Sequence, residues 1–354
     1  MPSSLINNRG YLIDCNAVNN PIDNEALGKV LKRAAIEEPI ETVNILSEES
    51  DYDSYEIELK NGTHWRVKIS LDPTTPVLKR EAAVLKNSAG VATGKLHLLS
   101  DHTLGGKTPH LIFEFPPSFS GADMGISYLM EERRLLFGSY FALLQTLSPK
   151  RYYKSVVEED FKKFNISSKS FPPSSRKAIK SHSNYPALLD FFTTLREETD
   201  KYLPFPPMEK KCLGGLPLKS IFFSNGLFFF DHLHNTCLHH PFADFADFIL
   251  DLGLEPEIEQ AAFKDFCEVG SLEGDAHLYE SIYALQLRKK LIELVGLYFM
   301  EVYVFQGKRV DNLIYLAETF SNCSKRFRRV PAFLPHQDFL FKTITEPILG
   351  VKAE

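Results

Sequence analysis

Two short apolar runs, Ile221-Phe222-Phe223 and Leu227 to Phe230, are separated only by Ser224-Asn225-Gly226. Asn and Gly tolerate positive φ, so this pattern predicts two strands joined by a tight turn. The hairpin ends in Asp231 and lies inside a region that otherwise reads as helical. Helical segments are expected over Ser127 to Leu147, Ala187 to Lys201, Phe242 to Leu252, Ile258 to Val269 and Asp275 to Val304. Pro172 to Ser175 and Pro204 to Pro207 read as loops.

The first third of the chain has a different rhythm. Asp23 to Glu38 reads as a helix, with Ala26, Leu27, Val30, Leu31 and Ala34 at i, i+3, i+4 spacing and Pro39 closing the run. Strands are expected at Glu41 to Leu46, Ser54 to Leu59 and Thr63 to Ser70, the last two joined by Lys60-Asn61-Gly62. A helix over Pro76 to Asn87 follows, then strands at Leu96 to Leu99 and His110 to Phe115. Pro116-Pro117 and the small residues from Ser118 to Gly125 break the pattern and mark a boundary. The expected organisation is an α+β chain in three parts. Residues 1–40 form an extension with a helix, 41–116 an antiparallel five-stranded lobe with one helix, and 117–354 a helical lobe with a central hairpin.

With 354 residues and 44% apolar content, such a chain can bury a large core. Its formal net charge is -6, whereas a general nucleic-acid binder is usually basic, so no nucleic-acid partner is expected. The one dense basic run, Lys325, Arg326, Arg328 and Arg329, reads as a solvated helix end. Cys15, Cys212, Cys237, Cys267 and Cys323 are far apart and odd in number, which predicts neither a disulfide framework nor a zinc site. His232, His234, His239 and His240 cluster in sequence without an established zinc spacing and read as polar loop residues. The start of the chain is polar, and no window approaches the roughly 18 apolar residues a membrane span needs. A cytoplasmic, non-membrane protein is the expectation.

The local residues resemble the aminoglycoside and choline phosphotransferases, a branch with a protein-kinase-like fold. The resemblance runs from about Glu41 to Leu252. Arg66-Val67-Lys68-Ile69 is similar to the strand whose lysine holds nucleotide phosphates, and Glu81 in the next helix is similar to the acid that orients that lysine. Thr108 to Phe115, with Glu114, resembles the hinge strand whose backbone meets adenine. Gly138, Ala142, Leu144 and Gln145 resemble a helix that usually ends in Leu-His. Asp231, at the end of the hairpin, stands where the family binds magnesium. Asp244, in His240-Pro241-Phe242-Ala243-Asp244-Phe245-Ala246, stands where a second acid braces the lobe. The resemblance implies ATP and magnesium as cofactors and an alcohol group as phosphate acceptor.

Two departures bear on chemistry. The family's catalytic loop corresponds to Leu213-Gly214-Gly215-Leu216-Pro217-Leu218-Lys219-Ser220. Gly215 occupies the base position and has no carboxylate to accept a proton. Ser220 occupies the second metal position and offers at most one weak oxygen. The first hairpin turn, Ser47 to Ser54, carries four carboxylates where relatives place a phosphate-cradling turn. A rival reading takes Asp231 as the base, Asn235 as a metal ligand and Asp244 or Asp247 as the magnesium acid. Three functions stay open: a pseudokinase that binds nucleotide or regulates, an active small-molecule kinase, and an interaction protein on a kinase scaffold. The many aromatic residues are expected to fill the core before they serve a protein partner.

Overall fold

A computed structural model describes residues 4–6, 12–14, 24–48, 52–70, 76–88, 90–100, 109–147, 177, 180–181, 185–200, 210–299 and 310–345. A small hairpin of β1 (Ser4–Ile6) and β2 (Leu12–Asp14) comes first, then α1 (Asn24–Arg33). Next come β3 (Ile40–Glu48), β4 (Tyr52–Leu59), β5 (His64–Ser70), α2 (Val77–Ser88), β6 (Lys95–Ser100) and β7 (His110–Glu114). The five strands β3 to β7 form one antiparallel sheet in the order β3-β4-β5-β7-β6. All five strands are at the expected places. β3 and β4 run closer together than expected, pairing Ser47 with Ser54 and Glu48 with Asp53. The acidic turn itself, 49–51, lies outside the described residues, as do the expected loops at 172–175 and 204–207.

Strand alternation gives the sheet two unlike faces. Tyr55, Ile57, Leu59, Val67, Ile69 and Ile112 point outward and pack under Leu27, Val30 and Leu31 of α1. The inner face carries Tyr52, Ser54, Arg66 and Lys68, all buried, beside Leu111 and Phe113. Polar side chains on a buried face demand partners, and Tyr52, Arg66 and Lys68 find theirs in α2 and in the second lobe.

That lobe begins with β8 (Phe119–Ser120), α3 (Gly121–Met124), α4 (Ile126–Glu131), α5 (Arg133–Thr146) and α6 (Tyr185–Asp200). It continues with β9 (Lys210–Cys212), β10 (Ile221–Ser224), β11 (Leu227–Phe230) and β12 (Cys237–His239). The helices α7 (Pro241–Leu252), α8 (Pro256–Gly270), α9 (Ala276–Phe299) and α10 (Val310–Ser324) complete it, with short turns to Thr345. The hairpin forms as expected, with Asn225 and Gly226 both at positive φ. Sequence periodicity did not reveal the β9–β12 pair, because strands of three residues show no alternation. A phenylalanine-rich core joins Phe137, Phe245, Phe248 and Phe266 beneath the hairpin. Among the described residues, no helix is long and apolar enough to cross a membrane.

Candidate functional site

A buried ionic cluster joins the sheet, α2 and the end of the hairpin. Lys68 Nζ donates to Glu81 Oε1 at 2.7 Å and to Asp231 Oδ1 at 2.5 Å. Arg66 Nη1 donates to Asp231 Oδ2 at 2.6 Å. Arg66, Lys68 and Glu81 are 0% exposed and Asp231 4%. With both acids ionised, the two cations and two carboxylates balance, so the group neutralises itself without an added ion. The sequence reaches this arrangement simply. Arg66 and Lys68 are two residues apart on one strand and share a face, α2 presents Glu81 beside them, and Asp231 caps the hairpin from the other lobe.

Neighbouring groups close the cluster further. Tyr52 Oη is hydrogen-bonded to His232 Nδ1, and its ring lies 5.0 Å from Lys68 Nζ. His232 is in the left-handed region at φ 60°, and its N–H donates to Asp231 Oδ1 at 2.7 Å. The Leu233 N–H reaches Glu81 Oε1 at 3.3 Å. Burial pushes the Glu81 carboxyl up to about 7 against the pull of Lys68. Burial would raise Asp231 too, but Lys68, His232 and Arg66 outweigh it and hold that carboxyl well below its ordinary range.

The segment before the hairpin is pinned from below by three acids on one face of α7, spaced i, i+3, i+7. Asp244 accepts from the N–H groups of Leu213 at 2.5 Å and Gly215 at 2.8 Å, and from the Tyr140 hydroxyl at 2.7 Å. Asp247 accepts from Leu216 N–H at 2.9 Å, and Asp251 from Leu218 N–H at 3.1 Å. Lys290 sits between the last two, 3.3 Å from Asp247 and 2.7 Å from Asp251. Burial lifts Asp244 to about 6 even against its three donors. An unfolded carboxyl titrates near 3.8, so the native state holds the extra proton between pH 3.8 and 6. Stability from this group is therefore present in acid and lost as pH rises through 6. At ~1.4 kcal/mol per pH unit, the stability advantage over Asp244→Asn is expected to shrink by about 3 kcal/mol from pH 4 to pH 7. Denaturant melts of both proteins across that range check it.

The two glycines of this segment have conformations that other residues rarely adopt. Gly214 is at φ +82°, and a Cβ there would lie 2.1 Å from the Asn235 carbonyl oxygen. Gly215 is at φ +140°, and its Cβ would point at Asp247 Oδ2, 3.2 Å away. A side chain at position 215 would thus be aimed at α7, next to the Asp247 carboxylate.

The structure brings Lys68, Glu81 and Asp231 into one contact cluster, with Ser220 adjoining it: the Ser220 carbonyl accepts from Asp231 N–H at 3.0 Å. Glu114 stands apart. It shares the Trp65 face of the sheet, opposite Lys68, and its side chain is exposed. Residues named in the rival reading are also engaged elsewhere: Asp244 and Asp247 hold backbone N–H groups, and the Asn235 side chain is exposed. His240 caps α7, accepting from Phe242 N–H, and His239 accepts from His240 N–H. Sequence reading gave no role to Arg66 or Tyr52; alternation along β5 puts Arg66 on the Lys68 face, and the pairing of Ser54 with Lys68 brings Tyr52 to it. Cys212 and Cys237, far apart in the chain, are register partners with their Sγ atoms 3.3 Å apart.

A helical lobe pinned beneath a hairpin that faces a five-stranded sheet has close structural counterparts. A spectinomycin phosphotransferase, solved with ADP and spectinomycin, aligns over 90% of this chain and 100% of its own, with a TM-score of 0.56 and 15% identity. The fold is that of the aminoglycoside and choline phosphotransferases. A choline/ethanolamine kinase family protein from Mesorhizobium loti gives a TM-score of 0.57 at 10% identity, over 87% of this chain and 97% of that one. The choline kinase of Streptococcus pneumoniae gives 0.53 at 10% identity, over 84% and 99%. No family model and no curated protein sequence matches the chain. This bilobal, protein-kinase-like fold is the one the sequence resemblance implied.

The fold family implies magnesium and ATP. Magnesium needs several oxygen donors in octahedral array. Both oxygens of Asp231 are taken by the chain's own cations, which leaves Ser220 Oγ and Glu81 Oε2, each buried without a hydrogen-bond partner, as the uncommitted oxygens among the described residues of the cluster. Lys68, the residue that would meet phosphate, is bonded to two carboxylates and fully buried. In this arrangement the residues do not fit a magnesium nucleotide.

Proposed function

We propose that this chain is a pseudokinase: a kinase-fold protein that acts through binding and regulation and does not transfer phosphate. The observation that carries the reading is the direct, buried contact of Lys68 with Asp231. Phosphoryl transfer depends on positioning a metal and polyphosphate between such groups, and here the groups hold one another. The glycine at the base position supports the same reading. General-base catalysis needs a carboxylate or equivalent within hydrogen-bond reach of the acceptor hydroxyl. Gly215 supplies none, and its backbone would turn a replacement toward the Asp247 carboxylate of α7.

The test is turnover. Purified protein incubated with ATP and magnesium, alone and with amino alcohols or aminoglycosides, is expected to release no ADP above a blank. Gly215→Asp is expected to leave that result unchanged and to melt at lower temperature, because the new carboxylate meets Asp247. ADP release by the wild-type protein, lost in Asp231→Asn, would overturn the reading in favour of an active small-molecule kinase.

A further inference from the structure

The Arg66 guanidinium carbon lies 3.7 Å from the centre of the Phe115 ring and 3.9 Å from that of Phe222. The two rings stand almost at right angles, 80°, with centres 5.4 Å apart. They form a notch, and Asp231 closes it with a hydrogen bond to Arg66 Nη1 at 2.6 Å. Two aromatic faces and a carboxylate converging on one point are the elements of a cation-binding site. The walls come from both lobes. Phe115 follows β7 of the sheet, whereas Phe222 and Asp231 belong to the hairpin of the helical lobe.

We propose that Phe115, Phe222 and Asp231 form an interlobe cation site whose ligand is the chain's own Arg66, a tethered latch that keeps the cleft shut. A guanidinium suits the position because it is planar, weakly hydrated and always charged, so it stacks and hydrogen-bonds at once in a dry site. Lys68 cannot substitute, since its ammonium is already shared between Glu81 and Asp231. The latch acts on the segment next to it. Arg66 holds Asp231 Oδ2 while Oδ1 of the same carboxylate accepts from His232 N–H, so losing Arg66 leaves that carboxylate anchored on one oxygen only and loosens the start of the turn that packs on Tyr52. The site selects alkylguanidinium and small organic ammonium ions and disfavours anions. The inference shares the closed cleft with the pseudokinase reading. Its test contains no nucleotide, so the two can fail separately.

The test is chemical rescue of Arg66→Ala. The variant is expected to melt several degrees below wild type, and its His232 and Leu233 amides to exchange with solvent at least ~10-fold faster. Millimolar 1-ethylguanidinium is expected to restore at least half of both losses with a saturable dependence, and to leave wild type unmoved. The double variant Arg66→Ala, Phe222→Leu is expected to show no rescue. Absence of rescue in a folded Arg66→Ala, or equal rescue in the double variant, would overturn the proposal. If Arg66→Ala does not fold, Phe222→Leu alone serves. It keeps Arg66 but removes one wall, and faster exchange at His232 and Leu233 is expected. Unchanged exchange there refutes the latch.

Discussion

Asp231→Ala is expected to lower the free energy of unfolding by about 3–5 kcal/mol, the range for breaking a buried ion pair from one side. The change strips Arg66 of its carboxylate and leaves Lys68 with Glu81 alone. Three ionisable groups would then remain buried with a net positive charge, and a buried uncompensated charge is among the most destabilising defects a fold can carry. The sign is informative. Carboxylates kept for chemistry are commonly held at some expense to stability, and their removal is often neutral or stabilising. A large loss therefore marks Asp231 as a structural member of a closed cleft. Asp231→Asn retains the shape and one acceptor, so a smaller loss is expected. Equilibrium denaturation in urea measures both. An Asp231→Ala protein as stable as wild type would mean that the lobes stand apart in solution.

Gly214→Ala is the second large effect, a loss of about 2–5 kcal/mol. Two penalties add. An alanine at φ +82° costs roughly 1–2 kcal/mol in backbone strain, and forcing an atom into a filled site costs roughly 1–3 kcal/mol more. The obstructing atoms are the carbonyl oxygen and carbon of Asn235, 2.1 and 2.8 Å from the new methyl, so no flexible side chain can yield. Gly226→Ala is the control. Its φ is +77°, with nothing within 4 Å of the added methyl, so only the conformational part, roughly 1–2 kcal/mol, is expected. Similar losses at the two positions would mean that the Gly214 segment does not press on the turn after Asp231.

These expectations rest on features that differ in how far the chain itself announces them. The hairpin was legible because Asn225-Gly226 supplies two positive-φ residues between apolar runs. The sheet was legible from period-two alternation in β4 and β5, and the extent of β3 beyond Leu46 was not, since its end is polar. The ladder of Asp244, Asp247 and Asp251 could have been found from spacing alone, because i, i+3, i+7 carboxylates on a helix share a face. What they grip could not. The Cys212–Cys237 contact was hidden by the strand pairing that creates it, which brings together residues 25 positions apart.

Local sequence thus determined the five strands of the first lobe, the central hairpin and most of the long helices, which strand face carries Arg66 and Lys68, and that position 215 lacks a carboxylate. These follow from alternation, turn chemistry and the absence of a side chain, all of which act between near neighbours. Only the tertiary structure decided that the charges on that strand meet Asp231 directly, 163 and 165 residues further along the chain. Opposite charges withdrawn from water must find one another or unfold the site, and which ones do so depends on how two lobes close, a property no window of sequence contains.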